Sequence, residues 1–251
     1  MIKDKIAIVT GAAQGIGKSI AQLFSQNGAI VILVDINKEK LKDTASQIQK
    51  SFGIQIDDYA IDITRKNDVV ALVKDVVSKF GRVDILVNNA GLYRNVPLLD
   101  MEEEDWDRVF AVNVKGSLFF TQEVGKVMIK QQSGKIINMS SCSGKKPDKG
   151  QAAYNCTKSA VIGLTRVTAL ELGEYGINCN AICPGATDTE MIRNTFLTNP
   201  DIEKFWIDKT ALKRLGQPND IAKVALFLAS DLSDHITGEA LIVSAGELMG
   251  Q

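Results

Sequence analysis

The sequence predicts an α/β fold, a doubly wound parallel sheet of about seven strands with helices on both faces. Three observations predict it. Short β-branched apolar runs alternate with longer segments whose apolar residues recur every three or four positions. The first such run ends in a glycine-rich turn that opens a helix. The 251 residues, 45% of them hydrophobic, suffice for one core, so residues 1–251 are expected to form a single domain.

In chain order, the strand of Ile6–Val9 leads into a helix at Ile16–Gln26, and the strand of Ile30–Val34 into a helix at Lys38–Lys50. A third strand, Gln55–Ile61, precedes the helical pattern of Asn67–Phe80, and a fourth, Val83–Val87, precedes a long pattern over Met101–Gln131. The strand of Lys135–Met139 is followed by a helix at Ala152–Glu174, the strand of Ile177–Ile182 by a helix at Asp220–Ala229, and Ala240–Val243 closes the sheet. Repeated βαβ units give right-handed crossovers, a sheet covered on both faces, and ligands at the carboxyl ends of the strands. One region breaks the pattern: Thr187–Pro218 is polar and aromatic, with two prolines and no strand signal. It is long for a connection and weakly capped, which predicts a substrate lid at about 187–218 that orders over the site.

Composition excludes several classes. With 29 basic against 30 acidic residues and no basic stripe, nucleic acid is not an expected partner. The apolar run at the N-terminus is too short for a signal peptide or a membrane span, so a cytoplasmic location without membrane contact is expected. Cys142, Cys156, Cys179 and Cys183 lack paired C-x-x-C spacing, and the single histidine, His235, lies in a downstream loop. They read as reduced, packed thiols, and no metal is expected. The acidic run Asp100–Asp107 reads as a helix start that complements the dipole, with Asp100 as its cap.

The chemistry begins at "IAIVTGAAQGIGKSIA". Gly11, Gly15 and Gly17, with Gln14 and Ile16 among them, leave backbone N–H groups and a helix N-terminus free to meet a pyrophosphate. The spacing G-x-x-x-G-x-G departs from the G-x-G-x-x-G fingerprint. Asp35 ends the second strand twenty positions beyond Gly15, where a carboxylate accepts hydrogen bonds from both hydroxyls of an adenosine ribose. The same carboxylate would repel a 2′-phosphate, and neither Gln14 nor Ile36 is basic, so NAD is expected rather than NADP. Asp62 and Ile63 after strand three, and Asn88, Asn89, Ala90 and Gly91 after strand four, fall at the same edge. In "GQAAYNCTKSAVIGL", Tyr154 and Lys158 share a helical face. A free phenol titrates at about 10, and a nearby cation lowers that value. Ser141, thirteen residues before Tyr154 at the end of strand five, supplies a hydroxyl to hold a substrate oxygen.

Taken together these residues resemble the short-chain dehydrogenases/reductases, in the roughly 250-residue branch that carries Tyr-x-x-x-Lys. The motifs are T-G-x-x-x-G-I-G at Thr10 to Gly17, N-N-A-G at Asn88 to Gly91, Asn113 in "FAVNVKG", the set Ser141, Tyr154 and Lys158, and P-G-x-x-x-T at Pro184, Gly185 and Thr189. The resemblance covers essentially the whole chain. It implies a Rossmann-like fold with Tyr154 as acid/base and Lys158 lowering its pKa and binding the nicotinamide ribose. Ser141 would orient the substrate oxygen, with Ser140 a cofactor-wall residue, and Asn113 would hold a water linked to Lys158. Thr189 would hold the carboxamide, and Thr187 stands where the family often has an aliphatic residue whose backbone meets that group. It also implies a homotetramer with twofold axes, paired through the helices at 100–132 and 152–175 and near Leu241–Met249.

The implied activity is NAD-dependent interconversion of a secondary alcohol and a ketone. Candidate substrate contacts are Tyr93 and Arg94, Ser143 to Gln151, and Met191, Phe196, Phe205 and Trp206 in the lid. They suit a polyol, a cyclic alcohol, a hydroxyketone or a steroid equally. Two alternatives stand beside this reading. The segment "GQAAYNCTKSAVIGLTR" is similar to 3-oxoacyl-carrier-protein reductases, which usually take NADPH, and Asp35 speaks against that cofactor. A catalytically silent dinucleotide-binding regulator would use the same fold, but the intact set Asn113, Ser141, Tyr154 and Lys158 argues against it.

Overall fold

The computed structural model describes residues 1–249 other than 55, 196 and 198. The strands are β1 (Ile6–Thr10), β2 (Ile30–Asp35), β3 (Asp57–Ala60), β4 (Ile85–Asn88), β5 (Gly134–Met139), β6 (Ile177–Pro184) and β7 (Ala240–Val243). The first helices are α1 (Gly15–Gln26), α2 (Lys38–Phe52), α3 (Lys66–Phe80), α4 (Glu103–Phe110) and α5 (Ser117–Gln131). They are followed by α6 (Ala152–Leu172), α7 (Glu190–Thr195), α8 (Pro200–Lys209) and α9 (Pro218–Ala229).

The seven strands form one sheet in the order β3-β2-β1-β4-β5-β6-β7, every pair parallel. The period of two in a strand divides each one between two cores. In β1, Ala7 and Val9 pack with Ile20 and Phe24 of α1, Leu41 of α2 and Ile221 of α9, while Ile6 and Ile8 pack with Leu72 of α3 and Phe120 and Val124 of α5. Both faces are therefore covered, and each fully buried side chain of this size contributes about 1.5–3 kcal/mol. α2 and α3 stop at Gly53 and Gly81, which take the left-handed conformation that ends a helix. Among the described residues no helix is long and apolar enough to cross a membrane.

Four departures from the sequence expectations matter. The expected strand Gln55–Ile61 begins at a residue outside those described, and pairing runs only over Asp57–Ala60 at the sheet edge. The expected continuous helix Met101–Gln131 is three pieces, because a π-helical stretch at Ala111–Gly116 separates α4 from α5. Asp100 does not cap α4: it lies in a 3₁₀ turn at Leu98–Asp100, the cap position is Glu102, and the acids Glu103, Glu104 and Asp105 complement the dipole from within the first turn. The region read as irregular and weakly capped holds α7 and α8, the latter started by Pro200 and by Asn199, whose side chain accepts from the Ile202 N–H at 3.0 Å. Cys142, Cys179 and Cys183 are buried and Cys156 is exposed, all as free thiols.

Candidate active site

Strand order reverses between β1 and β4, and the loops leaving these strands part there to open a cleft of about 680 Å³. On one side is the glycine turn. Gly11 and Gly15 have φ of +65° and +56°, a region closed to most side chains. A Cβ on Gly17 would run into the Gly11 carbonyl oxygen and the Asn89 amide, so Gly17 lets α1 approach β1 and does not itself line the cleft. No side chain caps α1, and its first turn carries no acid. That cradle of backbone and uncapped helix N-terminus fits the pyrophosphate of a dinucleotide.

Thr10 holds the opposite wall in place. Its hydroxyl accepts from the N–H groups of Asn89 and Ala90, both at 3.0 Å, and donates to the Val87 carbonyl at 3.3 Å. The Asn89 amide returns bonds to the carbonyls of Thr10 and Gly11 at 2.9 and 3.1 Å. Asn88, by contrast, does not face the cleft: it is buried, and its amide donates to Thr121 and Asn138 in the core. Asp35 accepts from the Ala13 N–H at 3.1 Å and the Asn37 N–H at 2.9 Å, which fixes its carboxylate against the glycine turn. Gln14, Ile16, Ile36, Asp62, Ile63, Ala90 and Gly91 also line the cleft, with Asp62 accepting from Thr64 to hold its own turn.

At the other end β5 delivers Ser141 and α6 delivers Tyr154 and Lys158. Ser141 shares a hydrogen bond with the Tyr154 hydroxyl and accepts from the Ser143 N–H at 3.1 Å. The Lys158 ammonium lies 5.5 Å from the Tyr154 ring centroid and donates to the Met139 carbonyl at 2.8 Å. Ser140 lines the cleft, but its hydroxyl donates to the Lys158 carbonyl at 2.8 Å and so anchors α6 to β5. Burial pushes the Tyr154 hydroxyl up to about 12, against the pull of the Ser141 hydrogen bond, and pushes Lys158 down to about 8. Desolvation of the phenolate is the larger of these effects on Tyr154 and the Ser141 hydrogen bond the smaller.

Asn113 does not line the cleft. It sits in the π-helical stretch, where its side chain accepts from the Leu92 N–H at 2.7 Å and donates to the Leu92 carbonyl and the Thr157 hydroxyl, both at 3.0 Å. It therefore ties the loop after β4 to α6 one residue before Lys158. π-helical turns of this kind are rare and frequently mark functional sites.

Pro184, Gly185, Thr187 and Thr189 follow β6 along the cleft, and the Thr189 methyl would lie 3.5 Å from a Cβ on Gly15. Tyr93, Ser143, Gln151, Met191 and Trp206 line the same space, and the Tyr93 ring meets that of Tyr154 edge-on at 5.1 Å between centroids. Other expected substrate contacts lie elsewhere: Arg94 pairs with Asp105 at 3.0 Å, and Phe205 is exposed on α8. Within the stretch Ser143 to Gln151, Ser143, Lys146, Asp148 and Gln151 line the cleft while Gly144, Lys145, Pro147, Lys149 and Gly150 do not. Phe196 lies outside the described residues. The excursion carrying α7 and α8 is pinched at its base, where Asp188 N–H bonds the Gly216 carbonyl at 2.8 Å and Gly216 N–H the Ala186 carbonyl at 2.9 Å.

The sequence reading missed Lys40, Glu190 and Glu247, which also line the cleft. Glu247 accepts from the Ala186 N–H at 3.2 Å, and burial raises its pKa. Its place just past the carboxyl end of β7 is where a parallel sheet presents ligand contacts, a signal that was there to use. Among the described residues no group of three His, Cys, Asp or Glu side chains stands together in a metal-holding arrangement.

Comparison with known proteins follows the same lines. A family model described as enoyl-(acyl carrier protein) reductase matches residues 11–247. The 3-oxoacyl-[acyl-carrier-protein] reductase FabG of Thermotoga maritima is 40% identical over 98% of this chain and 98% of that protein. The NAD-dependent glycerol dehydrogenase of Listeria innocua is 39% identical over 98% of this chain and 94% of that protein. Among solved structures, NAD+-bound xylitol dehydrogenase matches with a TM-score of 0.93 at 32% identity, covering 98% of this chain and 99% of that one.

Proposed function

The chain belongs to the short-chain dehydrogenase/reductase family, and on that premise we propose that it is an NAD-dependent oxidoreductase interconverting a secondary alcohol and a ketone, with Tyr154 as acid/base. The observation that carries this reading is one cleft with the glycine turn and Asp35 at one end and Ser141, Tyr154 and Lys158 at the other. A bound nicotinamide dinucleotide supplies the acceptor or donor of hydride. The turn of Gly11, Gly15 and Gly17 holds its pyrophosphate, Asp35 the adenosine ribose, Lys158 the other ribose, and Thr187 and Thr189 the carboxamide. Tyr154 takes the alcohol's proton in oxidation and returns it to the ketone oxygen in reduction, while Ser141 holds that oxygen. Asn113 positions a water that links Lys158 to solvent.

The relatives named for NAD-linked glycerol and xylitol chemistry support the choice of cofactor and a small hydroxylated substrate. A second reading, an NADPH-dependent 3-oxoacyl thioester reductase, is favoured by the 40% identity to the Thermotoga protein. A panel of secondary alcohols, ketones and 3-oxoacyl thioesters, each read with NAD(H) and NADP(H), separates them. Turnover of alcohols with NAD is expected. Reduction confined to thioesters with NADPH would sink the first reading, and cofactor binding without any turnover would leave the silent regulator.

Two further parts of the reading concern assembly and motion. On the helices expected to pair subunits, Val109 is fully buried in the chain's own core, whereas Val167 and Leu170 of α6 are 50% and 83% exposed. With β7 the last strand of the sheet among the described residues, these support a homotetramer with twofold axes, and light scattering at micromolar protein should return the mass of four chains. A monomer mass would refute it. Residues 187–218 act as the lid, pinched at their base as described, so their amides should gain hydrogen-exchange protection on adding NAD. Equal protection with and without NAD would refute a lid.

A further inference from the structure

Lys40 stands in the first turn of α2, set there by Asn37, whose side chain accepts from the Lys40 N–H at 3.1 Å. Its ammonium donates to Gln14 Oε1 in the glycine turn at 2.8 Å, and to Glu190 Oε1 and Oε2 on α7 at 2.9 and 2.8 Å. These two partners hold the ammonium, and the Glu190 carboxylate answers its charge through both oxygens. All three side chains line the cleft beside Asp35, whose carboxylate is bonded to the backbone of Ala13 and Asn37, next to Gln14 and within the cap of Lys40.

Resting on the NAD reading above, we propose that Glu190 sets dinucleotide preference through Lys40, by holding at the adenosine-ribose rim the one cation on α2 placed to meet a 2′-phosphate. Asp35 repels that phosphate, and Glu190 removes the charge that would answer it. Glu190 is thus a positioning residue. It lies 150 positions from Lys40 in sequence, on an element otherwise associated with substrate, and the pair spans the cleft from α2 to α7. Lys40 and Glu190 are 44% and 52% exposed, so the pair exchanges readily for a ligand phosphate once its carboxylate is gone.

The test measures dissociation constants of NAD+ and NADP+ by calorimetry, without substrate, in wild type, Glu190→Gln, Glu190→Asp and the double variant Glu190→Gln/Lys40→Gln. Glu190→Gln should tighten NADP+ by about tenfold at low salt, as a charge-assisted contact to phosphate forms, and should leave NAD+ nearly unchanged. Glu190→Asp should behave as wild type, the double variant should lose the gain, and the gain should shrink as salt screens an exposed charge. Equal changes for both dinucleotides would mean that the substitution only loosens α7, and would overturn the proposal, as would a gain that survives removal of Lys40. A wild type that prefers NADP+ overturns the NAD reading instead. The clasp is judged on the change between variants, so the two failures are told apart.

Discussion

Replacing Tyr154 by Phe should lower kcat/KM for alcohol oxidation by about 10³-fold, within the ~10²–10⁴ range of a positioned acid or base, while NAD still binds. The loss corresponds to about 4 kcal/mol of transition-state stabilisation, at ~1.36 kcal/mol for each tenfold. Only the hydroxyl changes. The ring keeps its edge-on contact with Tyr93 at 5.1 Å, and the Lys158 ammonium keeps its bond to the Met139 carbonyl at 2.8 Å. Ser141 loses its partner on the tyrosine but keeps the Ser143 N–H at 3.1 Å. Nothing in the glycine turn or at Asp35 touches the changed atom, so a calorimetric NAD titration serves as the control for folding. A variant that binds NAD and still oxidises alcohol at near wild-type rate would remove Tyr154 from the chemistry. The alcohol's proton would then have to go to Ser141 or to a water.

Burial adds a condition to this mechanism. A phenol pushed up to about 12 is a proton carrier in its acid form at neutral pH, suited to giving a proton to a ketone oxygen. To act as a base it needs the phenolate favoured. Lys158, pushed down to about 8 by the same burial, is the group placed to do so while it keeps its charge.

What the sequence made legible is what strand ends fix. In a parallel sheet the carboxyl ends of strands share one edge, so the residues after β1, β2 and β5 are brought together by topology alone, and the i, i+4 rule sets Lys158 beside Tyr154. Three features were not legible, each for a physical reason. The π-helical stretch around Asn113 adds a residue to a turn without disturbing the apolar spacing on either side, so Met101–Gln131 reads as one helix. α7 and α8 are 6 and 10 residues long, too short for periodicity to stand out, although Asn199 followed by Pro200 is a start signal that a closer reading uses. The clasp of Lys40 and Glu190 depends on where α7 folds back over the glycine turn, and no local pattern encodes that.

Replacing Asp35 by Ser should lower kcat/KM with NAD by about 10- to 100-fold, since a hydrogen bond to a charged acceptor is worth about 1.5–3 kcal/mol and the net loss of one to the ribose is expected. With NADP the opposite sign is expected, because the like charge facing a 2′-phosphate is gone. The gain should be modest. Lys40, the cation on that rim, is held by Glu190 and Gln14 at 2.8–2.9 Å, and its charge is already answered by the Glu190 carboxylate. NADP should therefore become tolerated without becoming tight, and only Asp35→Ser combined with Glu190→Gln should move the preference to NADP. Asp35 also accepts from the Ala13 and Asn37 N–H groups, and a serine oxygen replaces at most part of that support, so a thermal melt must show the variant folded before its kinetics are read. The measurement is kcat/KM for both cofactors at one saturating substrate. An NADP preference already present in wild type would place the 2′-phosphate away from Asp35 and favour the 3-oxoacyl thioester reading. A double variant that still prefers NAD would mean that Lys40 cannot reach the phosphate even when released.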